Sequence, residues 1–400
     1  MNKNLVSYPP YIMMADPDSW AAHTLLNRFP PIVSNIKDLR PLGSREERAL
    51  ETLLREIPEG NIYNPFTEEI VAEFLPEELN DWEKAFAEWR GKRWIDLPFY
   101  FGEAYLYLRL LIAAGYYWKS SSFYHLDPFL LQKEEELSHI VHEPLWGRTL
   151  SRVGSIQDAL WLSVKGNRVD LSLSNIAKKG RTQLHEEEEK REKELIINHY
   201  SSLEKKVEHA TQIDIVLDNA GSELLCDLHF AKVVLSVGEA EKVVFHCKKY
   251  PFFVSDATVQ DVFIMLFRLA QEKSFSSWST QFLDWIQSGK IEIKTHYYWN
   301  GPHHFTTFPA ELQNQFASSN VVIFKGDANY RRLVEDRAWP FSTPFEEVVK
   351  GFPTTLVSLR TLKSEVLLGI SQEKANEMYA QDPEWLVNGK WGIAHLVEKV

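Results

Sequence analysis

Three short apolar runs in the C-terminal half of the chain are each followed by oxygen-bearing side chains. Ile213 to Leu217 leads into Asp218-Asn219-Ala220-Gly221, with Glu223 one helical turn on. Val243 to Cys247 leads through PFFV to Ser255-Asp256. Val321 to Phe324 is followed by Lys325-Gly326-Asp327, then Asn329, Tyr330 and Arg331. Carboxylates and amides gathered in one place suit a hard divalent cation such as Mg²⁺ or Mn²⁺, with positions left for water and a phosphate oxygen. Cations lie in the same regions: Lys248, Lys249, Lys325 and Arg331, then Arg360 and Lys363 within LRTLK. A phosphate needs such a cradle of Lys, Arg and backbone N–H groups. Each piece alone has a plainer reading, because Asp and Asn commonly cap helices and close turns. The threefold coincidence points to a metal and phosphate site.

These residues need elements to hold them. Ile213 to Leu217 has strand length and is stopped by Asn and Gly. From Ser222 the period changes. Leu224, Leu225, Leu228, Ala231, Val234 and Leu235 fall on one helical face. Strand, turn and helix place Asp218 and Asn219 at the carboxyl end of a strand, where ligands bind in open α/β sheets. Val243 to Cys247, Val321 to Phe324 and 354–359 read as further strands, and 261–272 as a helix. That alternation implies βαβ units and a mainly parallel sheet.

The first 165 residues read as helices. Ser19 caps one expected to end before Pro30-Pro31, and others fall at 43–57, 66–93, 101–118, 127–142 and 154–165. HEEEEKREKE at 185–194 carries i,i+4 pairs of favourable polarity and reads as a solvated helix. The expected fold class is α/β, with a helical N-terminal domain (1–165) packed on a C-terminal α/β/α, Rossmann-like sandwich. A connecting segment with the charged helix (166–209) joins it to the metal- and phosphate-binding catalytic domain (210–400).

The 400 residues include 13 Trp, 15 Tyr and 23 Phe, ample for a packed core, and the formal net charge is −12. That charge argues against nucleic-acid or anionic-membrane partners. Two cysteines, Cys226 and Cys247, form no disulfide framework, and the N-terminus has no apolar leader. No run reaches the ~18 apolar residues of a membrane span. A cytoplasmic setting is therefore expected. P-loop, G-x-G-x-x-G, H-E-x-x-H and G-x-S-x-G signatures are absent. The adjacent His303 and His304 read as loop residues.

LDNAGSELLCDL, FFVSDAT, FKGDANYRRL and LRTLK, in that order, resemble the metal-dependent damage-control phosphatases. RTLK is similar to the branch that includes proteins once described as acidic-residue (glutamate) methyltransferases. SWAAHTLLNRFPPIV, EAYLYLRLL, the DPF at 127–129 and GNRVDLSLS at 166–174 extend the resemblance over most of the chain. It implies a helical domain on an α/β/α sandwich, and metal ligands at Asp218, Asn219 and Asp256. Substrate contacts fall at Glu223, at Asp327, Asn329, Tyr330 and Arg331, and at Lys363, which also serves in catalysis. The implied reaction is hydrolysis of small sugar phosphates, of the fructose 1-phosphate or fructose 6-phosphate type, with Mn²⁺, Co²⁺, Ni²⁺ or Mg²⁺. The family usually has a larger aliphatic residue where this chain has Ala328, which bears on pocket shape. The alternatives are an S-adenosylmethionine-dependent carboxyl methyltransferase, disfavoured by a first βα turn with a single glycine, and a non-catalytic sugar-phosphate-binding protein.

Overall fold

The computed structural model describes residues 8–39, 41–166 and 194–399. The charged stretch expected as a helix at 185–194 lies outside them except for Glu194, as does 167–174 of the GNRVDLSLS motif.

Helices of seven residues or more precede the sheet: α1 (Phe29–Leu39), α2 (Ser44–Glu56), α3 (Pro76–Trp89), α4 (Phe99–Ala113), α5 (Leu130–His142), α6 (Pro144–Arg152) and α7 (Ile156–Lys165). The helix begun at Trp20 does not stop at Pro30-Pro31. A π turn at Thr24–Arg28, with Phe29 N–H reaching Thr24 C=O, hands over to α1. The two prolines lack the N–H groups that would bond back into that turn, and the widened π turn ahead of them lets the helix run on. In α4 every residue except Ile112 is buried, as expected of a helix apolar on all sides.

Seven strands form one sheet: β1 (Leu195–Asn198), β2 (Gln212–Val216), β3 (Lys242–Cys247), β4 (Ile291–Thr295), β5 (Val321–Lys325), β6 (Thr355–Thr361) and β7 (Gly392–Val397). Their order is β1-β7-β6-β5-β2-β3-β4, and every neighbouring pair is parallel except β6 with β7. The helices among them are α8 (Tyr200–Glu208), α9 (Ser222–Val237), α10 (Val259–Ala270), α11 (Ser276–Gln287), α12 (Ala310–Ala317), α13 (Asp327–Leu333) and α14 (Gln372–Gln381). Ile213, Ile215 and Leu217 face one core with α7 to α11, while Val216, Val322 and Phe324 face another with α12 to α14. This is the expected α/β/α layering, produced by the two-residue alternation of strands.

A third core joins α1 to α4 through Phe29, Leu53, Phe86 and Tyr105. It also takes in Tyr250 and Phe252, from the loop after β3. Strand β1 and helix α8 fall within 166–209, the stretch read as a connector, and β1 forms an edge of the sheet. The edge strand β1 (LIIN) has only three apolar residues, and β4 (IEIKT) alternates with charge.

From β2 the chain steps outward to β3 and β4. It then returns to the other side of β2 for β5 and β6. The gap between β2 and β5 is thus a topological switch point, where loops diverge and leave a crevice.

Candidate active site

Asp218 and Asn219 follow β2 directly, and Gly326-Asp327 follow β5 across that crevice. Gly326 has φ +83°, and a Cβ there would stand 2.0 Å from Asp218 Cγ, so only glycine leaves room for the carboxylate. The loop after β3 comes alongside. Ala257 N–H donates to Asp218 C=O (2.8 Å) and Ala220 N–H to Ser255 C=O (2.6 Å), forming an antiparallel bridge between Asn219 and Asp256. The three expected metal-binding residues are therefore brought together.

Their side chains interlock. Asn219 Nδ2 donates to Asp218 Oδ2 (2.7 Å) and to Glu223 Oε2 (2.8 Å), while Ser255 Oγ donates to Asn219 Oδ1 (2.5 Å). Asp218 is buried. Loss of water, with the neighbouring Glu223 and Asp256 charges, holds its carboxyl well above the usual range against the pull of Lys363 and Lys248. Burial also raises the Asp256 carboxyl, opposed by Lys248, whose Nζ lies 3.1 Å from Asp256 Oδ2. Burial depresses the Lys248 ammonium in turn. Lys325, on β5, is turned inside. It meets Asp227 Oδ1 (2.7 Å), Glu223 Oε1 (3.3 Å) and the Ser163 carbonyl and hydroxyl of α7.

The residues expected to hold substrate divide. Lys363 lies just beyond β6 with an exposed side chain, close enough for its charge to act on Asp218. Asp327 Oδ1 accepts from Lys363 N–H and Ser364 Oγ, both at 3.1 Å, and lies 3.2 Å from Arg360. It therefore shapes the turn that carries Lys363. Asn329 Nδ2 donates to Leu217 C=O (3.0 Å) and Lys325 C=O (2.8 Å), stapling the ends of β2 and β5.

The side chains of Tyr330 and Arg331 both point into the protein. Tyr330 stacks on Phe345 and its hydroxyl accepts from Leu368 N–H at 3.0 Å. Arg331 grips Asp336 through two bonds of 2.8 Å, takes Glu103 as well, and lies 4.0 Å over the Phe99 ring. Adjacency to Asp327 in the sequence does not show which way these side chains turn. Lys133 of α5, whose Nζ bonds the Asp256 carbonyl at 3.0 Å, went unnoticed. It stands beside a run of glutamates that reads as a solvated face.

Among the described residues no group of three or more His, Cys, Asp and Glu side chains is arranged to hold a metal. The donors nonetheless suit a hard divalent ion. Asp218, Asp256 and the Asn219 amide supply oxygen, and a positive ion between the buried carboxylates would offset their mutual repulsion. As placed, the Asn219 amide nitrogen does part of that work. The residues fit the expected metal.

The family model of the damage-control phosphatase ARMT1-like domain matches residues 24–378. The chain is similar to curated proteins named damage-control phosphatase ARMT1. It is 33% identical to that of Rattus norvegicus over 75% of this chain and 74% of the relative. The figures for Mus musculus are 29% over 96% and 98%. For Homo sapiens they are 28% over 94% and 96%. A solved DUF89 family protein from Pyrococcus horikoshii aligns with a TM-score of 0.44 and 15% identity over 92% of this chain and 97% of that one.

Two outcomes follow from these burials. A carboxyl with a raised folded-state pKa stabilises the fold below its ordinary value of 3.8, and that gain is lost as pH rises through the raised value. Asp218→Asn should therefore melt at a higher temperature than the unaltered metal-free chain at pH 7, with the gap closing towards pH 4. Thermal melts across that range in chelator check it. Arg331→Met should lower stability in urea by roughly 3–5 kcal/mol, because Asp336 and Glu103 are left buried and unpaired.

Proposed function

The chain belongs to the ARMT1-like damage-control phosphatase family, and on that premise we propose that it is a metal-dependent phosphomonoesterase acting on small sugar phosphates. Fructose 1-phosphate and fructose 6-phosphate are the expected types, with Mn²⁺, Co²⁺, Ni²⁺ or Mg²⁺ at Asp218, Asn219 and Asp256. The observation that carries this reading is the set of buried carboxylates Asp218, Glu223 and Asp256, interlocked through the half-buried Asn219 and its loop, beside an exposed Lys363. When bound, the ion supplies positive charge to the phosphoryl oxygens and to the leaving oxygen.

The chain's own residues do the rest by position and charge, which is most of what phosphoryl transfer asks of a protein. Of the cations singled out in the sequence, Lys363 has the exposed side chain. Its ammonium is free to take a phosphate oxygen at the mouth of the crevice. Asp327 fixes the Lys363 backbone, so the ammonium starts from a held turn. Asn329 keeps the ends of β2 and β5 at fixed separation. Glu223, backed by Lys325, presents a carboxylate one helical turn inside the site, placed to accept from a sugar hydroxyl.

The methyltransferase alternative finds no support in the matched family, and the β2–α9 turn is not glycine-rich. Among the described residues no helix is long and apolar enough to cross a membrane. The buried thiols of Cys226 and Cys247 support a reducing, cytoplasmic setting.

The test is phosphate release from a panel of sugar phosphates by metal-stripped protein given each of the four ions separately. Hydrolysis should return with metal, and Asp218→Ala should abolish it without changing the circular dichroism spectrum. Lys363→Ala should lower kcat/KM roughly tenfold to a hundredfold, the worth of one charged hydrogen bond. No release with any ion, or full metal-dependent release by Asp218→Ala, would overturn the reading.

A further inference from the structure

The loop that carries Asp256 is strained. Phe253 and Val254 are consecutive residues in the left-handed region, with φ of +49° and +64°. For a β-branched residue such as Val254 this conformation is a true outlier, and it persists only where surroundings impose it. The next two residues are Ser255, which holds Asn219, and Asp256 itself.

The helical half imposes it. Phe252 and Phe253 pack on Tyr107 of α4, at ring separations of 5.4 and 5.1 Å, and Phe253 also meets Tyr100. Lys133 of α5 is buried, and its ammonium has three partners for its three N–H groups. It bonds the Asp256 carbonyl (3.0 Å) and Asp261 Oδ2 (2.8 Å), and lies 3.0 Å from Asp127 Oδ2. Asp261 caps α10 through Thr258, and Asp127 receives Phe129 N–H ahead of α5. Desolvation works against the Lys133 charge, but Asp261 and Asp127 outweigh it.

We propose that Lys133 is a positioning residue of the metal site. By tying the Asp256 backbone to the helical half, it holds the strained Phe253-Val254 turn in the form that presents Asp256 to a divalent ion. This rests on the metal reading above. It makes the helical half part of the site's framework.

Calorimetric titration of Mn²⁺ into metal-stripped protein tests it without reference to turnover. Lys133→Met should weaken Mn²⁺ binding about 10- to 100-fold, as loss of a group that orients a metal ligand does. Adding Val254→Gly to that variant should recover about threefold or more, because glycine takes the left-handed backbone without strain. Val254→Gly alone should bind nearly as the unaltered chain does. Should Lys133→Met fail to fold, Asp127→Asn removes one arm of the tripod with little change of shape and should give a smaller loss of affinity.

If the unaltered chain binds Mn²⁺ and a folded Lys133→Met binds it equally well, this inference falls and the phosphatase reading stands. A loss that Val254→Gly does not relieve assigns Lys133 a merely structural part and also overturns it. If the unaltered chain binds no Mn²⁺, the metal reading falls, and this inference with it.

Discussion

Like charge withdrawn from water at the end of β2 sets the terms for the surrounding structure. Asp218, Glu223 and Asp256 are all buried, and burial alone makes ionised carboxylates costly. Their mutual repulsion adds to that cost. Each is therefore met by a dedicated partner. The Asn219 amide spans Asp218 and Glu223, Lys325 stands behind Glu223, and Lys248 pairs with Asp256. The two lysines come from β5 and from the end of β3, the two strands that flank β2. The strand order is thus also the order in which countercharges must be delivered. Gly326 follows from the same crowding, since any side chain there would occupy the space of the Asp218 carboxylate.

The cations sort by exposure into two tasks. Lys325, Lys248, Lys133 and Arg331 are buried, and their donors are directed at carboxylates and carbonyls of the protein itself. They hold the framework and have little left for a ligand. Lys363 is exposed, on a turn fixed by Asp327. A protein of net charge −12 would attract a phosphate ester only through local positive charge, which Lys363 supplies at one turn and the proposed divalent ion would supply beside it. Raised carboxyl groups at the mouth of a crevice are a signature of function, because a site optimised for stability alone would not gather them.

Much of this was legible in the sequence where a change of period marked a change of element. The β2–α9 unit, the parallel sheet and the convergence of Asp218, Asn219 and Asp256 follow from apolar strands that each end in an oxygen-bearing turn. Side-chain direction was not legible. Arg331 shares a short helix with Asp327, yet its partners are Asp336 and Glu103, the latter 228 residues away. Lys133 was hidden for a related reason. Two of its three partners lie 123 and 128 residues distant, and next to Glu134, Glu135 and Glu136 it resembles one more solvated charge. Pro30-Pro31 misled in another way, since the π turn just ahead of them lets the helix run through.

The loop from Lys248 to Thr258 joins these themes. It leaves β3, buries Tyr250 and Phe252 in the helical core, turns through two left-handed residues, and returns to pair with the β2 turn at Asn219. The sheet alone supplies Asp218 and Asn219 but gives this loop no reason to keep its strained path. The aromatic contacts with α4 and the Lys133 tripod on α5 supply that reason. A helical layer that only covered the crevice could be loosened without disturbing the ligands beneath it. Loosening α4 or α5 would remove contacts that hold the Asp256 loop on its strained course, so the helical layer takes part in building the proposed site.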